Sequence, residues 1–189
     1  MPSMETLRDY QHHLELKDPT LYIFSGLPGT GKTTLSRLLA RQVGAAHIRI
    51  DTVEQALREL CFVKVRGEGY RLGYRVASDI LSVGVSVVAD SCNPIALTRR
   101  EWEQVALGAG VRYINVEITC RDVREHRSRV ETRTSTVPGL RLPTWAEVES
   151  REYHAWTGER IVLDTSGRPE IECFEELLSQ LRRAVGLAG

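Results

Sequence analysis

Leu21-Tyr22-Ile23-Phe24-Ser25-Gly26-Leu27-Pro28-Gly29-Thr30-Gly31-Lys32-Thr33-Thr34 is the stretch on which the fold turns. It reads as a short apolar run, a glycine-rich turn, and the start of a helix whose apolar positions Leu35, Leu38, Leu39 and Val43 recur at helical spacing. From Gly26 to Thr33 the residues fit G-x-x-x-x-G-K-[ST], and they do so between a strand and a helix, as that pattern requires. Each residue type has a reason. Glycines permit dihedrals that turn successive N–H groups inward as an anion nest, and the helix start adds its positive dipole end. Lys32 would reach the β and γ phosphates, and Thr33 would offer a hydroxyl to Mg²⁺. Lys32 is one of three lysines, with Lys17 and Lys64, in a chain whose positive charge is otherwise arginine. The expectation is a nucleoside triphosphate held by Gly26, Leu27, Pro28, Gly29, Thr30, Gly31, Lys32, Thr33 and Thr34.

Outward from this loop the chain alternates. Residues 47–50, 85–89, 111–119 and 161–163 read as strands. Residues 53–60, 76–81, 98–107, 123–133, 145–156 and 171–185 read as helices, and Gly67, Gly69 and Gly73 interrupt an Arg/Tyr-rich stretch. Leu7, Tyr10 and Leu14 suggest a helix within residues 1–19, ended by Asp18-Pro19. Short, fully apolar strands alternating with helices predict an α/β fold: a parallel sheet of about five strands with helices on both faces. Ligands then bind outside the carboxyl ends of the strands.

The length of 189 residues fits a single domain, taken here as 1–189. With 25 Lys+Arg against 25 Asp+Glu, the chain lacks the excess charge of a protein that coats nucleic acid. Cys61, Cys92, Cys120 and Cys173 lie far apart and read as reduced, buried thiols. No run approaches the ~20 apolar residues of a membrane span, and the N-terminus lacks the apolar core of a secretory signal. A cytoplasmic protein without a membrane partner is expected.

Two carboxylates follow strands, Asp51 after the second and Asp90 after the third. Val85-Ser86-Val87-Val88-Ala89-Asp90 has the Walker-B form, which orients Mg²⁺ or its water. The other Asp would accept a proton from a substrate hydroxyl. Asp51 could equally cap the helix that follows it. Further on, Arg121, Arg124, Arg127, Arg129 and Arg133 fall within thirteen residues, leading into a Thr/Ser/Pro/Gly loop. Ion pairs with Asp122, Glu125 and Glu131 account for some of them. A lid that carries arginines onto transferring phosphates accounts for Arg127, Arg129 or Arg133.

With these motifs in place the chain resembles the small P-loop kinases of the nucleoside-monophosphate-kinase-like class. In particular it is similar to the ATP-dependent kinases related to bacteriophage polynucleotide kinase, gluconate kinase, chloramphenicol phosphotransferase and the zeta toxins. The carriers are residues 26–34, Ile50-Asp51, residues 87–91, residues 126–133 and Asp164-Thr165-Ser166. The resemblance implies a P-loop NTPase three-layer sandwich with a mobile lid over about 121–145. It also implies ATP with Mg²⁺, and γ-phosphoryl transfer to a hydroxyl of a small or nucleotide-like acceptor. Asp51 would be the general base, Lys32, Arg127, Arg129 and Arg133 would hold phosphates, Thr33 and Asp90 would serve the metal, and Thr165 and Arg168 would border the adenine. The insertion at 58–80, with Lys64, Arg66, Tyr70, Arg71, Tyr74 and Arg75, would shape the acceptor pocket. Glu54 stands where polynucleotide kinases carry Arg, which disfavours a nucleic-acid acceptor.

Four alternatives are weighed against that reading. A regulatory GTPase would need N-K-x-D and D-x-x-G sequences, and the chain has neither. A mechanical ATPase would carry Glu beside the Walker-B Asp, where Ser91 stands. A nucleic-acid 5′-hydroxyl kinase and a non-kinase nucleotide-binding module stay open, as do monomer and homodimer.

Overall fold

The structure is a computed structural model that describes residues 18–186, so the helix expected within residues 1–19 lies outside the described residues. Five strands form one parallel sheet: β1 (Thr20–Ser25), β2 (Ala46–Arg49), β3 (Val87–Asp90), β4 (Arg112–Thr119) and β5 (Ile161–Asp164). Their order is β2-β3-β1-β4-β5, with Tyr22 in register with Val88 on one side and Ile114 on the other. β1 is buried along its whole length, which explains why it reads as a continuous apolar run rather than an alternating one.

Seven helices are described: α1 (Lys32–Val43), α2 (Ile50–Leu60), α3 (Glu68–Ser82), α4 (Ala96–Gly108), α5 (Val123–Thr132), α6 (Trp145–Glu149) and α7 (Glu170–Ala184). Leu35 and Leu39 of α1 and Leu177 and Leu181 of α7 pack on Tyr22, Phe24, Val116 and Leu163 of one sheet face. On the other face Ile50, Ala77, Leu81 and Trp102 of α2, α3 and α4 meet Leu21, Ile23, Val87 and Ala89. This is the expected three-layer sandwich. None of the described helices is long and apolar enough to cross a membrane.

The chain leaves β1 toward β2 on one side and returns past it from β3 to β4 on the other, so the loop after β1 sits at the topological switch point. That loop, Asp51, Asp90, Asp122 and Thr165 all follow or end strands on this carboxyl side.

Several expectations are corrected. The stretch holding Gly69 and Gly73 is not a break but the first half of α3. A Cβ at Gly73 would lie 2.5 Å from Ile50 Cδ1, so glycine is there to let α3 close on α2 and Trp102, not to interrupt the helix. The helix expected over 145–156 stops at Glu149. Thr144 and Glu147 start it with a capping box, but Tyr153 and Trp156 are drawn away to enclose the Arg99 guanidinium, 4.8 and 4.1 Å from their ring centres. Their role is packing. Asp90 is the last residue of β3 rather than the first beyond it. Among the cysteines, Cys120 and Cys173 are buried, whereas Cys61 is exposed and Cys92 half-buried.

Candidate active site

The loop of residues 26–31 is held from beneath by three connections. Gly26 N donates to Cys92 O at 3.1 Å, tying it to the loop after β3. Buried Asn93 donates through Nδ2 to Phe24 O and Ser25 Oγ, both at 3.1 Å. Thr165 Oγ1 donates toward Thr30 O at 2.9 Å, and Thr30 Oγ1 donates to Leu27 O at 2.9 Å, so Thr30 is structural rather than ligand-facing. From above, α5 lies on the loop: a Cβ at Gly29, where φ is +88°, would lie 2.6 Å from Val130 Cγ2. Buried His126 donates from Nε2 to Pro28 O at 2.8 Å, while its ring meets Trp145 edge-on at 5.2 Å. The sequence includes His126 in the stretch that carries the resemblance but gives it no role of its own, because a lone histidine amid arginines carries no local signal.

A continuous trench runs over this loop in three parts. A cavity of about 250 Å³ is lined by Gly29, Gly31, Thr34, Arg129, Thr165 and Arg168. The next, also about 250 Å³, is lined by Lys32, Thr33, Thr34, Arg37, Arg49, Arg129 and Arg133. The third, about 660 Å³, shares Lys32, Thr33, Arg49 and Arg133, and adds Pro28, Asp51, Glu54, Arg58, Arg151 and residues 139–143. Thr165, Arg168, Lys32, Thr33, Asp51, Arg129 and Arg133 are thus brought together along one trench. Leu27 and Gly26 support it from behind.

Asp51 is the second residue of α2, in the favourable field of the helix start, and does not cap it. Its side chain is 49% exposed and lies 3.4 Å from Arg49 Nη2, leaving carboxylate oxygen open to the cleft. Asp90 is different. It is buried, its Oδ2 has no hydrogen-bond partner, and His47 Nε2 and Arg49 Nε stand 3.8 and 3.9 Å away. Burial lowers the His47 pKa, and Asp90 opposes that shift.

The arginines of α5 divide. Arg129 donates to Thr165 Oγ1 and O at 2.8 and 2.9 Å and pairs with Glu125, clamping α5 to the loop after β5. Arg133 lines both the middle and the large cavity, and its buried Nε has no partner. Burial pushes its guanidinium pKa below the usual range; Asp51 opposes this, and Arg49 and Arg151 add to it. Arg127 does not join the trench. It pairs with Glu131 at 2.8 Å on the exposed side of α5 with 59% of its side chain accessible, one helical turn being enough to satisfy it.

The acceptor-side expectation at 58–80 is also corrected. Of that segment Arg58 alone lines the large cavity. Tyr70 accepts from Asn93 N at 3.1 Å, Tyr74 stacks edge-on against Trp102 at 4.7 Å, and Lys64, Arg66, Arg71 and Arg75 are exposed. Burial raises the Tyr70 and Tyr74 pKa values far above the range where a phenol could act as a base. The wall comes instead from α2, residues 139–143 and Arg151. Arg151 sits on a strap, residues 150–160, that is irregular yet fixed. His154 N donates to Pro94 O at 2.8 Å, Tyr153 OH donates to Glu117 at 3.1 Å, and Arg160 pairs with Glu117 at 2.6 Å.

The donor set suits Mg²⁺. Among the described residues no three His, Cys, Asp or Glu side chains converge as a metal site. A hard cation that keeps its waters and binds phosphates needs little more than one hydroxyl and one nearby carboxylate. The half-exposed Thr33 and the orphaned Asp90 Oδ2 match that need.

A family profile described as an AAA domain matches residues 21–147. No curated protein sequence matches the chain. Among solved structures, a Chloroflexus aurantiacus J-10-fl protein assigned as a kinase superposes with a TM-score of 0.65 at 19% identity, covering 86% of this chain and 98% of that one. A gluconokinase of Sinorhizobium meliloti 1021 gives 0.65 at 17% identity over 88% of this chain and 93% of that one. The Mycobacterium tuberculosis APS kinase CysC, solved with AMPPNP and APS, gives 0.64 at 18% identity over 87% and 98%. At these identities the likeness is one of fold, that of P-loop kinases.

Proposed function

The chain belongs to the AAA domain family with the P-loop kinase fold, and from there we propose that it is an ATP-dependent kinase acting on a hydroxyl of a small acceptor. One observation carries the reading: a phosphate-binding lysine and hydroxyl, Lys32 and Thr33, share a single cleft with an accessible carboxylate, Asp51. Phosphoryl transfer needs little more than positioning and electrostatics, so this set is sufficient.

The nucleotide runs along the trench, its adenine toward Thr165 and Arg168 and its γ-phosphate at Lys32. Lys32 and Arg133 neutralise the transferring group, and Arg129 holds the lid helix α5 against the loop after β5. Thr33 directly, and Asp90 through water, would hold Mg²⁺, which when bound draws charge from the β and γ oxygens. Asp51 accepts the acceptor's proton as the new P–O bond forms and the bond to the β-phosphate oxygen breaks, leaving ADP. The buried Trp102–Tyr74 side of α3 takes no part.

Asp51→Asn tests the base. ATP turnover in the presence of acceptor should fall about 10²–10⁴-fold, while calorimetry should find nucleotide affinity within about twofold, since the variant removes no phosphate contact. Full turnover in that variant would remove Asp51 from the mechanism.

A further inference from the structure

We propose that the acceptor carries an anionic oxo group, and that Arg151, together with Arg133, binds it. The inference rests on the phosphoryl-transfer reading and narrows its substrate class to phosphorylated, sulfated or carboxylated hydroxy compounds.

The large cavity is lined by six basic side chains and three carboxylates. Two arginines are already matched, Arg58 by Glu54 at 2.9 Å and Arg141 by Glu147 at 2.8 Å. Arg49 is shared between Asp51 and Asp90. Lys32, Arg133 and Arg151 have no carboxylate within ion-pair distance among the described residues. The donor nucleotide answers for Lys32, and in part for Arg133, which also faces the phosphate cavity. It does not answer for Arg151, which lines the acceptor cavity and is absent from the lining of the other two.

Arg151 is exposed, but the backbone that carries it is fixed. It stands one residue past the C-cap of α6, on the strap that His154 ties to Pro94 after β3, Tyr153 to Glu117 of β4 and Trp156 to Arg99 of α4, and its guanidinium makes one weak polar contact, Nη1 to Cys92 Sγ at 3.9 Å. Arg133 feels the like charge of Arg151; Asp51 opposes this and Glu54 feels the charge of Arg151, yet neither arginine of the pair has a carboxylate within ion-pair distance among the described residues. Such a pair becomes favourable when an oxyanion is placed between them, where planar guanidinium forks meet two oxygens at once. Asp51, which would receive the hydroxyl proton, shares that cavity, so the anion would fix the acceptor at one end while its hydroxyl faces the γ-phosphate.

The test is a calorimetric titration of the protein saturated with Mg²⁺ and a non-hydrolysable ATP analogue, which occupies the phosphate loop. Sodium phosphate, sodium sulfate and sodium acetate are added in separate arms at constant ionic strength, and the tightest arm identifies the acceptor's anionic group. One oxyanion should bind per chain. Arg151→Ala should weaken it about tenfold or more, the loss expected of a charge-assisted hydrogen bond. Arg151→Lys should recover part of the loss, and Arg127→Ala on the far side of α5 should match the parent. Absence of oxyanion binding to the analogue-loaded protein, or binding that Arg151→Ala leaves intact, overturns the proposal. Failure of the analogue itself to bind overturns the kinase reading beneath it, so the two failures are told apart.

Discussion

The two ends of the trench are built by opposite means. At the phosphate end, polar groups are paired before any ligand arrives: Gly26 to Cys92, Thr30 to Leu27, Thr165 to Thr30, His126 to Pro28, Arg129 to Thr165. The loop's free N–H groups are thereby aimed without reorganisation, which is how a rigid site stabilises charge. At the acceptor end, Arg133 and Arg151 lack carboxylate partners and Asp51 is half exposed. The first end spends its contacts on geometry and, on the proposed reading, would bind a ligand common to many proteins. The second leaves Arg133 and Arg151 without an ion pair among the described residues, and on the proposed reading that is where acceptors would be told apart.

If that contrast is right, the largest effect comes from the phosphate-loop lysine, which has no carboxylate within ion-pair distance among the described residues. Lys32→Ala should lower ATP turnover by about 10²–10³-fold or more, the usual cost of removing a donor to developing charge. Melting temperature should change little, because Lys32 holds no other element in place. A large loss of thermal stability instead would mean that Lys32 belongs to the scaffold, and the contrast would break.

His126→Ala should come next. It strands the Pro28 carbonyl in a buried place and removes a ring packed on Trp145, costing about 1–3 kcal/mol of stability. The outcome that sharpens the comparison is functional: nucleotide affinity should fall although His126 does not itself line the trench and acts through Pro28. Denaturant unfolding beside nucleotide titration separates the two. Unchanged affinity in a destabilised variant would mean that the loop keeps its shape without α5.

The same contrast explains what could be read from the sequence. The phosphate end is local: Gly26 to Thr33 is one strand-to-helix turn, so spacing alone carries it, and so does the parallel sheet, because its strands are continuous apolar runs. The carboxylates Asp51 and Asp90 were legible as strand-end residues, but not that one is half exposed and the other buried against His47 and Arg49. The acceptor end is non-local. Arg49, Glu54, Arg133, residues 139–143 and Arg151 come from separated segments, and no spacing rule joins them. The Arg/Tyr/Gly stretch at 64–75 looked like a pocket because periodicity does not tell a glycine that breaks a helix from one that lets two helices touch, and Gly73 is the latter. The helix expected over 145–156 failed for a similar reason. Tyr153 and Trp156 have acceptable helical spacing, but the buried Arg99 offers their rings more than another turn would.

The smallest effect tests the comparison most finely, because it lies within α5 itself. Arg127 and Arg129 are two residues apart, equally charged, and each paired one turn away to a glutamate, Glu131 and Glu125. In sequence they are equivalent lid arginines. In the structure Arg127 spends its charge on an exposed pair, worth about 0–1 kcal/mol, whereas Arg129 adds two bonds to Thr165 and lines the trench. Arg127→Ala should therefore change stability by about 0.5 kcal/mol or less and leave ATP turnover unchanged. Arg129→Ala should weaken nucleotide binding by about tenfold through loss of charge-assisted hydrogen bonds that fix Thr165. Parallel titrations of the two variants decide it. Should Arg127→Ala lose turnover as Arg129→Ala does, α5 must rotate on closing to bring both guanidinium groups to the phosphates, and the division between a pre-paired phosphate end and an unspent acceptor end would hold for the open state alone.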